Sequence, residues 1–248
     1  MYKGKFRRAF PESFLFFHSF FYALTAGRRR RGIIKGRSLR SVPFLCPFGV
    51  TMLYAIMCGG DYPEFKEPKQ FTEVNGERLI DRTIRLLKDR GVFDICITSN
   101  NPAFDGLGVE RITDPRNDYI HGTDKLWLNA FYPFHKEVCY LYGDVYYTEH
   151  AIEKITTCDR PGNILFGSKI SMNKAGENWG EPFAYIVRDF PKFWDAITKV
   201  IEMHYNGELV RHPITWEVYR YENGLDVNRQ AVKPDTFICI DDATIDYD

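Results

Sequence analysis

Six cysteines occur among the 248 residues, and none stands in a C-x-x-C pair or another zinc-type spacing. The six histidines are scattered, which leaves a histidine-built centre without support. No stretch is apolar for the ~20 residues that a membrane-crossing helix needs; Phe14 to Ala26 is an apolar run of only thirteen. Beyond residue 52 there are no internal repeats, low-complexity tracts or linkers, so one α/β domain is expected over 52–248. Net charge is lacking too, since 33 basic residues balance 33 acidic ones.

That balance conceals an asymmetry. Residues 1–51 hold eleven Lys/Arg against one acid, Glu12, so the remaining chain carries ten more acids than bases. An acidic domain is a poor match for nucleic acid, whose non-specific binding rests on Lys and Arg. Within this arm the apolar run Phe14 to Ala26 has the length of a signal-peptide core, with small residues Thr25-Ala26-Gly27 at its end. Met52 directly before the first strand favours translation starting there, leaving 1–51 outside the domain. Cys58, Cys96, Cys139 and Cys239 sit in or beside apolar runs and read as small core residues in a reducing, cytoplasmic compartment.

Apolar runs Leu53–Met57, Asp94–Thr98, Val138–Tyr142, Ile164–Ser168, Phe183–Val187 and Phe237–Ile240 read as strands, with Val109–Thr113 a weaker one. Helical spacing links Leu79, Ile80, Thr83, Ile84 and Leu87, and again Phe190, Phe193, Trp194, Ile197, Val200 and Ile201. Thr148 and Asp189 are N-cap candidates, and Thr123 is expected to cap a helix running through Leu126 and Ala130. Pro213–Tyr221 is a helix or a hairpin. Alternating strands and helices imply a three-layer α/β sandwich on a mostly parallel, Rossmann-like sheet.

The first strand ends in Cys58-Gly59-Gly60, and Pro68-Lys69-Gln70 follows after a short loop. Glycines turn the chain and offer backbone N–H groups to an anion, and Lys69 adds a full charge; together they suggest a phosphate site. The loop fits neither familiar phosphate-binding motif, G-x-G-x-x-G or G-x-x-x-x-G-K-[ST]. Asp144 leaves Val138–Tyr142 through Gly143 as a turn residue or as a ligand for a hard cation.

On Gly59-Gly60, Pro68-Lys69-Gln70-Phe71, Asn75-Gly76-Glu77-Arg78-Leu79-Ile80 and Leu141-Tyr142-Gly143-Asp144-Val145, the chain resembles the nucleotidyltransferase superfamily. The first motifs are similar to sugar-phosphate and alditol-phosphate cytidylyltransferases, the last to N-acetylglucosamine-1-phosphate uridylyltransferases. The resemblance implies a fold of the nucleotide-diphospho-sugar transferase type. It also implies an NTP and a small phosphorylated sugar or polyol as substrates, and Mg²⁺ or Mn²⁺ as cofactor. By resemblance, Cys58, Gly59 and Gly60 wrap the triphosphate, and Lys66 stands in for the arginine that the motif lacks here. Lys69 neutralises the reacting phosphates. Asp144 binds the metal with Asp241 or Asp242, which are otherwise N-cap residues. Gly122-Thr123 contacts the base, unless Thr123 only caps a helix. Trp179, Glu181 and Tyr185 line the acceptor site, with core packing the alternative for Tyr185.

The resulting expectation is a Mg²⁺-dependent nucleotidylyltransferase releasing pyrophosphate. The alternatives are a nucleotide-sugar glycosyltransferase, although Asp144-Val145-Tyr146 is not the Asp-x-Asp such enzymes use, and a non-catalytic nucleotide-binding relative.

Overall fold

The computed structural model describes residues 52–60, 65–117, 126–168 and 180–241, and the backbone of 244–246. The basic arm 1–51, Gly122, Thr123, Trp179 and Asp242 lie outside the described residues.

In chain order, β1 (Leu53–Met57) is followed by a short hairpin of β2 (Glu73–Val74) and β3 (Glu77–Arg78). Asn75 (φ 55°) and Gly76 (φ 80°) make its turn, where both central residues need the left-handed region. Next come α1 (Leu79–Asp89), β4 (Ile95–Thr98), β5 (Glu110–Ile112), β6 (Val138–Tyr142), β7 (Val145–Tyr147) and α2 (Glu149–Thr156). The chain continues through β8 (Ile164–Gly167), β9 (Pro182–Val187), α3 (Phe190–Tyr205), α4 (Thr215–Glu222), β10 (Phe237–Cys239) and β11 (Thr244–Asp246).

The caps work as read. Thr148 accepts from the Ala151 N–H and Asp189 from the Lys192 N–H, each satisfying an otherwise orphaned helix donor. Pro213–Tyr221 resolves as the helix α4. The stretch expected to be helical through Ala130 is, in its described part, a single 3₁₀ turn over Trp127–Ala130.

Seven strands form the central sheet in the order β10-β8-β9-β6-β1-β4-β5. β9 pairs antiparallel with both neighbours and every other pairing is parallel. Along β1, Tyr54 and Ile56 join the core beneath α1 and α2. Leu53, Ala55 and Met57 join the core beneath α3 and α4. Both faces are covered, so this strand reads as unbroken apolar sequence. The result is a three-layer α/β/α sandwich. Among the described residues, no helix is long and apolar enough to cross a membrane.

Candidate active site

Parallel strands bring their C-terminal ends to one edge. That edge collects Cys58–Gly60 after β1, Ser99 and Asn100 after β4, Asp114–Asn117 after β5, Gly143 and Asp144 after β6, and Asp241 after β10. Because β9 runs the other way, its leading residues Gly180 and Glu181 arrive at the same edge. From β1 the chain winds outward through β4 and β5, then returns to β6 on the opposite side of β1. The β1/β6 boundary is therefore a topological switch point, where open α/β sheets leave a ligand crevice.

Gly59 stands on one flank. A Cβ built there would lie 1.7 Å from Asn117 Oδ1 and 2.5 Å from its Nδ2, so the amide occupies the volume of a side chain at position 59. Asn117 is 4% exposed, and its Oδ1 has no hydrogen-bond partner among the described residues. Its backbone is fixed: Asn100 Nδ2 donates to the carbonyls of Asp114 and Asn117, each at 2.8 Å. Burial works to raise the Asp114 pKa, but hydrogen bonds from Arg116 outweigh it and hold the carboxyl below its usual range. Asn117 is a functional candidate the sequence reading missed. The signal available was an Asp-Pro turn straight after a strand, which says nothing about what stands opposite.

Gly143 and Asp144 form the other flank. The Gly143 N–H donates to the Met57 carbonyl (3.0 Å), and a Cβ at 143 would fall 2.5 Å from Cys58 Sγ, 2.7 Å from Met57 O and 3.0 Å from Gln70 Cγ. Only a residue without a side chain lets the β6–β7 turn lie this close to the end of β1. Burial pushes the Cys58 thiol pKa well up, and the nearby Asp144 carboxylate pushes it further. Cys58 is thus a packed neutral thiol under the crevice, present through its backbone and bulk.

Lys69 is buried beside Gln70, in a 3₁₀ turn with its Nζ 5.4 Å from the centroid of Phe65. Lys66 is exposed, while Gly60 is half-buried. Ser168 and Glu181 exchange two hydrogen bonds, Ser168 N–H to Glu181 O (3.0 Å) and Glu181 N–H to Ser168 Oγ (3.3 Å). Tyr185 does not reach this edge as an open contact. It is fully buried and its hydroxyl donates to Glu222 Oε2 (2.5 Å), so the core-packing alternative describes it.

Asp241 accepts from the Cys239 thiol (3.0 Å), which leaves Cys239 a half-buried strand end and not an inert core residue. From there the chain crosses back to pair β11 antiparallel with β7, Asp246 in register with Val145. The sequence reading did not anticipate this return beside Asp144. Among the described residues, no three His, Cys, Asp or Glu side chains converge.

No protein-family model matches the chain, and no curated protein matches it. Among solved structures it is similar to a Bacillus anthracis protein assigned as a glucose-1-phosphate thymidylyltransferase, with 15% identity over 70% of this chain and 83% of that one, TM-score 0.45. It is also similar to the CTP:phosphocholine cytidylyltransferase of Streptococcus pneumoniae, with 14% identity, 64% and 79% of the two chains and TM-score 0.41. A third is the inositol-1-phosphate CTP transferase of T. maritima, with 15% identity, 61% and 74%, and TM-score 0.41. All three bear nucleotidyltransferase names.

Proposed function

We propose that this chain is a nucleotidylyltransferase that joins an NTP to a sugar or polyol phosphate with release of pyrophosphate. The observation that carries this reading is the pairing across the switch point. Gly59 with Asn117, whose Oδ1 has no partner among the described residues, lies on the β1-β4-β5 side, and Asp144 lies on the β6 side. A β1-β4-β5 half of this kind is suited to a mononucleotide. A carboxamide, which both donates and accepts, is suited to a base edge.

Asp144 and Asp241 offer carboxylate oxygen at the same edge, and this donor chemistry fits Mg²⁺ or Mn²⁺. One or two carboxylates suffice when phosphate oxygens complete the shell. Asp144, with Asp241 or Asp242, would hold the ion, which when bound supplies positive charge to the phosphates. An acceptor phosphate oxygen attacks the α-phosphorus, forming one P–O bond. The α–β bridging P–O bond breaks, and pyrophosphate leaves with the electron pair. Since the second phosphate pKa is about 6, the nucleophile is already mostly ionised at neutral pH and needs no general base. Lys69 and the Gly59–Gly60 backbone contribute by orientation and charge neutralisation.

The test is pyrophosphate release from all four NTPs with Mg²⁺ and a panel of sugar and polyol phosphates. At least one productive pair is expected, and none would overturn the reading. Tight binding of nucleoside diphosphate sugars without triphosphate binding would point instead to glycosyl transfer.

A further inference from the structure

Helix α4 is an unusual core element. Seven of its eight residues are buried, among them Glu217, Arg220 and Glu222, so it is held by specific polar bonds as well as by apolar packing. Its first turn is fixed from below. Glu217 accepts from the Ile214 N–H (2.9 Å) and from Arg211 Nε (2.8 Å).

Two side chains of that turn reach the crevice edge. The Trp216 indole N–H donates to the Gly180 carbonyl (2.8 Å), one residue before Glu181. The Trp216 ring packs at 5.6 Å from Phe237, the first residue of the strand leading to Asp241. Phe237 in turn lies over Gly167, where a Cβ would come within 3.2 Å of its ring and 3.0 Å of Glu181 O. Thr215 is hydrogen-bonded through its hydroxyl to that of Tyr142, two residues before Asp144. Packing alone would be met by any large ring; an indole donor aimed at one carbonyl fixes where β9 begins.

We propose that the first turn of α4, through Trp216 and Thr215, positions the acceptor half of the crevice. It ties together the three chain segments that carry Asp144, Glu181 and Asp241. This rests on the nucleotidylyltransferase reading for its consequence, though not for its geometry. The Trp216–Gly180 bond touches neither Gly59 nor Asn117, whereas Tyr142 pairs in register with Met57 on β1, so of the two ties only the Trp216 one bears on the acceptor half alone. Trp216 and Thr215 are positioning residues, acting through Gly180 and Tyr142.

The experiment uses the full chain with Trp216→Phe, which keeps a ring and deletes the donor, and separately Tyr142→Phe, which deletes the bond to Thr215. With a productive substrate pair, Trp216→Phe should raise the acceptor KM roughly tenfold, the scale of one buried bond lost. The NTP KM should stay within about twofold of wild type, on the same scale. Equal rises in both KM values, or no rise in either, would overturn the proposal. If wild type turns over no pair, the functional reading fails by that result, and hydrogen exchange decides this one. Amides of Ser168 and Glu181 should exchange roughly tenfold faster in Trp216→Phe, with the remainder of β8 and β9 unchanged. Uniform acceleration, or none, would overturn it. Should Trp216→Phe fail to fold, Tyr142→Phe is read by hydrogen exchange: Gly143 and Asp144 amides should exchange roughly tenfold faster with the remainder of β6 unchanged, and uniform acceleration, or none, would overturn the proposal.

Discussion

The amide of Asn117 occupies the place that a side chain at Gly59 would fill, with Oδ1 1.7 Å from the built Cβ. The two positions, 58 residues apart in the chain, are therefore one steric unit. Gly59→Ala must displace the amide, an overpacking that costs about 1–3 kcal/mol. Asn117→Ala in the same chain should recover most of that loss. Urea midpoints of the singles and the double check it; simple additivity would show that Asn117 is not what residue 59 meets.

Gly143→Ala should do more damage. Its methyl meets the Met57 carbonyl, which is backbone in the sheet, as well as Cys58 Sγ. Adding Cys58→Ala relieves only the second contact, so stability should return in part. Full recovery in the double variant would show that the carbonyl contact is not limiting.

Lys69→Ala should lower kcat about 10²–10³-fold, or ~2.7–4 kcal/mol, the scale of one preorganised charge-stabilising donor. Acceptor KM should change far less, because the lysine charge counts most as negative charge shifts in the transition state. Steady-state kinetics decide this, and turnover within a few-fold of wild type would remove Lys69 from the site.

Asp144→Asn keeps volume and one oxygen but removes the charge that attracts a hard cation. Thermal stability should hold while Mg²⁺-dependent turnover collapses, with partial return at high Mg²⁺ or with Mn²⁺. An unchanged Mg²⁺ titration curve would make Asp144 a turn residue only.

Glu222 supplies a pH prediction. Burial raises its pKa more than hydrogen bonds from Tyr185 and Asn163, and the charge of Lys192, lower it. A raised folded pKa means the fold favours the protonated acid. That contribution is complete below the unfolded value of about 4.3 and is lost as pH rises through the folded value. Glu222→Gln should remove this dependence. The Tm difference between variant and wild type should grow in the variant's favour across that window and then level off. Parallel Tm–pH curves would contradict the assignment.

Local features were legible in the chain. Leu53–Met57 and Val138–Tyr142 emerge with the bounds read from their apolar runs, and Thr148 and Asp189 cap the helices expected of them. Each depends on contacts a few residues away, which periodicity and capping chemistry encode. The exit of Asp144 after Val138–Tyr142 was legible for the same reason. Tertiary structure alone decided the rest. Pro182–Val187 is apolar whether its neighbours run parallel or antiparallel, yet its reversal brings Glu181 to the crevice edge. Nothing near Asn117 tells of Gly59, and nothing near Trp216 tells of Gly180. Those pairings follow from strand order and close packing, which join residues the sequence keeps far apart.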